Sequence, residues 1–245
     1  MTQFSSDKTL ITKENAYPIL KAFAKEYKKQ NGTSAPVELV IVGGGSILLN
    51  YGFREATQYF DIMVQSMGLI KNVSYRIADL YNLPDNWLNS DFMRTASYSD
   101  KLREVSKHFC SFNNGSLEFR TVNGEYLIAM KMVSAREYRN DISDVIGIII
   151  YMKNELENFS MDRINHAIEF LYGRRENVIK EDVYDKVKEY SKWSVAELEK
   201  EYEVLTQVEK QTKQDLININ EKYQGVVEEE SIDTVIEGLR RRKGR

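Results

Sequence analysis

The sequence predicts an α+β fold: a small mixed β-sheet flanked by helices, followed by a mainly helical C-terminal region. Three observations lead there. Turn formers gather early, since Pro18, Pro36 and Pro84 all lie in the first third and most glycines precede residue 130. Short β-branched and aromatic runs fall in that same part, Val37-Glu38-Leu39-Val40-Ile41-Val42 above all. The remainder is rich in Glu, Lys, Leu and Ile with few helix breakers, which favours helices. The boundary implied by this shift divides the chain into residues 1–155 and 156–245.

Each element has a local reason. In residues 16–30, Tyr17, Leu20, Phe23, Ala24 and Tyr27 recur at steps of three and four, the face of an amphipathic helix, and Asn31-Gly32 ends it. Residues 37–42 read as a buried strand, stopped by Gly43-Gly44-Gly45, with a short helix from Ser46 to Tyr51. Tyr59, Phe60, Ile62, Met63 and Val64 favour an adjacent strand within residues 56–65. A helix over residues 73–81 and a loop around Pro84 follow. Residues 109–112 and 117–122, joined by Asn113-Asn114-Gly115-Ser116, read as a hairpin. Helices are then expected over residues 124–138, 141–154, 162–172, 180–190, 195–223 and 231–240. In the long one, Leu198, Tyr202, Leu205, Leu216, Ile219 and Tyr223 form a heptad seam that Glu209 and Thr212 interrupt, so a packed helix is expected rather than an extended coiled coil.

Composition narrows the function classes. With 42% hydrophobic and 29% charged residues the chain is neither disordered nor collagen-like. Its formal net charge of −3 gives no global reason to expect nucleic acid or membrane as a partner. Residues 1–15 lack the apolar core of a signal peptide, and the apolar run at residues 145–152 is less than half of the roughly 20 residues that span a bilayer. The lone Cys110 cannot form an internal disulfide. A cytoplasmic protein without a membrane partner is expected. The basic tail from Arg240 to Arg245 reads as a solvated terminus.

The chemistry-bearing stretch is Val40-Ile41-Val42-Gly43-Gly44-Gly45-Ser46, followed by Gly52-Phe53-Arg54-Glu55-Ala56-Thr57-Gln58-Tyr59-Phe60-Asp61. A Gly-rich turn between strand and helix lets backbone N–H groups and Ser46 approach a phosphate. The same turn also serves as a tight connection with no ligand. It has neither the Walker A lysine nor dinucleotide-type glycine spacing. Lys131 lies among Leu127, Ile128, Met130, Met132 and Val133, so its ammonium must reach water or an anion. Asp141 and Asp144, three apart, share a helix side; they either serve the chemistry or cap the helix and complement its dipole. Glu118 lies on its strand out of phase with Leu117 and Phe119.

The segment resembles the nucleotidyltransferase fold of the DNA polymerase β-like superfamily. The pattern is a hydrophobic strand, Gly-Gly or Gly-Ser, about a dozen residues, then Asp-hydrophobic-Asp; here Gly45-Ser46 precedes Tyr59-Phe60-Asp61 by twelve residues. The Arg54…Thr57 lead-in and a second block, residues 125–132 with Arg136 and Asp141-Ile142-Ser143-Asp144, are similar to bacterial proteins related to AbiEii-type toxins. The resemblance covers roughly residues 37–150. It implies transfer of an NMP from an NTP to a hydroxyl of RNA, protein or a small molecule, with Mg²⁺ and with a cognate antitoxin-like partner. It implies Asp61 and Lys131 in catalysis, Asp61 as a metal ligand, and Gly44, Gly45, Ser46, Arg54 and Lys131 at the nucleotide; Glu118, or the pair Asp141 and Asp144, is the candidate to help Asp61 hold metal, Glu118 otherwise facing solvent. Tyr59 stands where the pattern has its first aspartate. A phenol, neutral at pH 7, is a poor ligand for a hard cation, so impaired transfer, or a nucleotide-binding or interaction module without catalysis, is the alternative.

Overall fold

The computed structural model describes residues 8–136, 139–155, 159–223 and 232–242. The chain opens with β1 (Ile11–Thr12) and α1 (Lys13–Asn31), whose start is closed by a reciprocal capping box between Thr12 and Asn15. The face expected for α1 is buried except at Tyr17, which stays half exposed against the ring of Phe112. Strand β2 (Val37–Val42) runs directly into α2 (Gly43–Tyr51), three residues earlier than turn chemistry suggests. Of its three glycines only Gly43 has a positive φ, +54°.

The single strand expected within residues 56–65 is two. Ala56–Thr57 (β3) pairs with β1, whereas Phe60–Met63 (β4) pairs with β2. Between them the Thr57 hydroxyl donates to the Tyr59 carbonyl at 3.1 Å and closes a turn. Helix α3 (Lys71–Tyr81) and a short β5 (Leu88–Asn89) follow. The hairpin forms as β6 (Ser106–Phe112) and β7 (Leu117–Val122), with Asn113, Asn114 and Gly115 all at positive φ in its turn.

Five strands make one mixed sheet in the order β5-β4-β2-β7-β6, with β2 central, antiparallel to β4 and parallel to β7. Strand periodicity sends Leu39, Ile41, Phe60, Ile62, Leu117 and Phe119 to one face, where α1 and α3 cover them. Val40, Val42 and Val122 face the other side. There α4 (Gly124–Ser134) and α5 (Asp141–Asn154) pack, the first ending at Ala135 in the left-handed region rather than near Tyr138, which lies outside the described residues.

The C-terminal part is helical, as the composition shift predicts: α6 (Met161–Tyr172), α7 (Glu181–Tyr190), α8 (Val195–Lys222) and α9 (Ile232–Arg242). Helix α6 packs on α4 and α8 on α5, so residues on both sides of position 155 share one core that runs from Val42 to Leu198. Lys243 to Arg245 of the basic tail lie outside the described residues. Among the described residues no helix is long and apolar enough to cross a membrane.

Candidate functional site

The register of the sheet builds the site. Val42, the last residue of β2, lies opposite Asp61 of β4, so the Asp61 side chain shares the face of Val42 and stands beside the start of α2. A methyl built on Gly43 would lie 3.7 Å from Asp61 Oδ2, and its positive φ alone favours glycine there. A methyl on Gly44 would lie 2.8 Å from Arg54 Cζ, so the guanidinium lies across the bare backbone. Gly45 faces inward against Phe60 and Ile41. Gly43, Gly44, Arg54, Tyr59 and Asp61 are all half-buried and form a mouth at the helix start.

Ser46 does not join that mouth. Its side chain is fully buried, accepts the Val122 N–H at 2.8 Å and donates to the Val122 carbonyl at 3.3 Å. Asn50 donates to the same carbonyl at 2.9 Å, so these residues fasten α2 to the end of β7. Glu118 is also remote. It pairs across β7 and β2 with Glu38, four residues from the Val42 level, or roughly 13 Å at about 3.3 Å per residue. Arg120 donates to its carboxylate at 2.8 Å and His108 Nδ1 lies 3.3 Å away; burial works against the charge, but these partners hold it below the usual range. The register therefore separates Glu118 from Asp61.

Lys131 is buried, and its ammonium donates to Asp141 Oδ1 at 2.7 Å and reaches Asp144 Oδ2 at 2.8 Å. Burial disfavours that charge, but the two aspartates outweigh it and raise Lys131 above its ordinary range. Asp141 also accepts from the Arg136 backbone N–H and Nε, both at 3.0 Å. Its burial is overcome by Lys131 and Arg136, which hold it well below the usual carboxylate range. Arg54 Nη1 donates to both oxygens of Asp144, at 2.8 and 3.1 Å. Arg54, Asp144, Lys131, Asp141 and Arg136 thus form one continuous ionic chain, in which each buried charge meets an opposite one. Neither aspartate side chain caps α5: its N-cap is Asn140, without a side-chain cap bond.

At the mouth, Arg139 donates to Tyr59 Oη at 3.3 Å. Burial pushes the Asp61 carboxyl up; Arg139, Lys131, Arg136 and a hydrogen bond with Asn89 oppose this without cancelling it. Sequence reasoning missed three residues here. Arg139 follows Arg136 in the link between α4 and α5, and its reach to Tyr59 has no local signal. Lys213, exposed on α8, is lowered by partial burial of its ammonium and by the charges of Arg54 and Arg139. Glu209 was visible as a break in the heptad seam. It is buried, accepts from the Ser143 N–H at 3.3 Å and from the Ser143 hydroxyl, and so satisfies the first turn of α5. Burial raises it to about 7, with Asp144 and Asp141 adding to the rise and the Ser143 bonds opposing it.

The other residues weighed in the sequence lie elsewhere. His166 is exposed, and burial pushes the Cys110 thiol up to about 11. Trp87 and Phe109 pack in the core beneath α1, whereas Phe92 and Tyr98 pack in the other.

Residues 19–200 match the model of a family described as nucleotidyltransferases of unknown function, DUF6036. That span is most of the chain. The chain belongs to this family. No curated protein and no solved structure matches it. A two-metal nucleotidyl transfer needs several anionic oxygens around each hard cation. In this nucleotidyltransferase-family chain Asp61 is the one carboxylate at the mouth among the described residues, and no group of three or more His, Cys, Asp or Glu there is placed to hold a metal. Asp141 and Asp144 are committed to Lys131, Arg54 and Arg136, and Glu118 is distant. These donors do not fit a pair of Mg²⁺ ions.

Proposed function

We propose that this chain binds a nucleoside triphosphate at the mouth formed by Gly43, Gly44, Arg54, Tyr59 and Asp61, and that transfer of the NMP is impaired. One observation carries this reading: the position of the missing carboxylate is a tyrosine whose hydroxyl accepts from Arg139, beside a single aspartate. The backbone at Gly43 and Gly44 and the guanidinium over it suit a phosphate, because charge-assisted hydrogen bonds to phosphate oxygens are strong. Lys131 supports the site from behind, through Asp144 and Arg54, rather than by touching the nucleotide. Residual transfer would place the NMP on a hydroxyl of RNA, protein or a small molecule, with a cognate antitoxin-like partner as the corollary of the toxin-like reading.

The test is transfer of label from each α-labelled NTP to total RNA and to the protein itself. It compares this chain with Tyr59→Asp and Asp61→Ala. We expect little transfer by this chain and more by Tyr59→Asp, which restores a second carboxylate. Efficient transfer by this chain, abolished by Asp61→Ala, would show that Tyr59 does not impair the reaction.

A further inference from the structure

The net charge of −3 conceals a segregation of charge. Helices α1 and α3 together carry seven basic and three acidic residues, so they hold +4 and the rest of the chain −7. The two helices lie side by side and antiparallel. Tyr81 Oη donates to the Pro18 carbonyl at 3.5 Å, Arg76 donates to Glu26, and Asn31 donates to the Leu69 carbonyl at 3.2 Å. The last turns of α1 therefore meet the start of α3, which gathers Lys25, Lys28, Lys29, Lys71 and Arg76 at one end of the pair. Glu26 is the one acid of either helix there, and it already accepts from Arg76 and Gln30. Lys25, Lys28 and Lys29 are exposed and form no ion pair among the described residues. Glu14 and Asp79, the other acids of the two helices, lie toward the opposite end.

Helix chemistry accounts for only part of this pattern. Lys28 and Lys29 complement the dipole in the last turn of α1. Lys21 and Lys25 precede that turn, and Lys71 opens α3, where the dipole disfavours a cation. Two large rings share the surface, Tyr17 at 50% and Tyr75 at 44% exposure. Tyr17 heads the row that continues through Lys21, Lys25 and Lys28 at steps of four, four and three residues. Tyr75 stands one turn after Lys71, whose ammonium lies 5.9 Å from its ring centre.

We propose that this surface of α1 and α3 binds single-stranded nucleic acid, with phosphates along the lysines and bases stacked on Tyr17 and Tyr75. A row of lysines alone suits any polyanion. Exposed rings beside it select unpaired bases, because a duplex keeps its base faces stacked inside and a bilayer offers none. The two helices cover the face of the sheet opposite the one that carries Asp61. The binding surface is thus separate from the mouth, and it stands or falls independently of the nucleotide there.

The experiment is fluorescence anisotropy of labelled oligo(U) and oligo(dT), each alone and as a duplex with its complement, titrated with the full chain. Co-sedimentation with vesicles of phosphatidylcholine and phosphatidylserine runs beside it. We expect both single strands to bind more tightly than their duplexes, the tighter of the two identifying the sugar. Four phosphate contacts would lower the affinity roughly fiftyfold between about 50 and about 200 mM salt. Combining Lys25→Gln, Lys28→Gln and Lys71→Gln should weaken binding about tenfold or more and flatten that salt dependence. The same change of charge in and beside α7, by Lys180→Gln, Lys188→Gln and Lys192→Gln, should leave both unaltered. Tyr75→Leu should cost about tenfold, as loss of one stacked base implies. No binding of either single strand at about 50 mM salt would overturn the proposal, and so would binding to vesicles alone. Equal losses in the two lysine variants, a duplex bound as tightly as its single strand, or an unchanged Tyr75→Leu would overturn it as well. All the replaced side chains are exposed, and where a variant does not fold, the choice of the unmodified chain among single strand, duplex and vesicle still decides.

Discussion

At Gly45 an added methyl would lie 2.5 Å from Phe60 Cδ1 and 2.9 Å from Ile41 Cγ2, two side chains locked in the core of the sheet. At Gly44 the obstacle is the far end of Arg54, which can swing outward. Two adjacent glycines therefore answer to different constraints, one to packing and one to an ion pair. Gly45→Ala should destabilise by about 1–3 kcal/mol, the usual cost of overpacking a core. Gly44→Ala should cost clearly less, because Arg54 moves at the expense of its partly exposed bond to Asp144. Urea unfolding of the two variants side by side tests this ranking; equal losses would mean that Arg54 is fixed as firmly as Phe60.

At the scale of elements, the docking of α8 on α5 passes through Glu209. Its folded-state value, about 7, lies above the ordinary 4.5, so the folded chain holds this proton more tightly than the unfolded one. The stability contributed through Glu209 is therefore fully present below about pH 4.5 and is lost as pH rises through about 7. Asp141, held below the usual range, acts with the opposite sign and only in more acidic solution. The urea midpoint should fall between about pH 5 and pH 8, and Glu209→Gln should flatten that slope while keeping an acceptor for the Ser143 N–H. A slope unchanged in Glu209→Gln would assign the titration to another group.

Across the whole molecule, one core joins the sheet to the C-terminal helices. Val42 and Val122 of the sheet, Ile146 and Ile149 of α5, Ile164 and Ile168 of α6, and Leu198 of α8 belong to the same buried cluster. A fragment ending at residue 155 would leave the outer sides of α4 and α5 bare, where α6 and α8 now pack. Exposed apolar area costs about 25 cal/mol per Å², so we expect this fragment to lack fixed tertiary packing. Near-ultraviolet circular dichroism and limited proteolysis of residues 1–155 test it. A protease-resistant fragment with a native aromatic signal would establish residues 1–155 as a unit that folds alone.

Much of this architecture was legible in local sequence. The 3.6-residue rhythm of α1, the apolar run of α5, whose bounds follow the expected 141–154, and the Asn-Asn-Gly-Ser turn of the hairpin all act within a few residues. So did the glycines after β2 and the substitution at Tyr59, because a backbone angle or a missing carboxylate is a property of one position. The partners of the charges were not legible. Arg54 meets Asp144 across 90 residues, Arg139 meets Tyr59 across 80, and Glu209 meets Ser143 across 66. Sequence determined where helices and strands form, since periodicity and turn chemistry are local. Only the tertiary structure decided that Ser46 turns toward β7, that Glu118 stands apart from Asp61, and that Lys131 answers to two aspartates. Those outcomes depend on sheet register and on which buried charges must neutralise one another, and both are set only when distant segments meet.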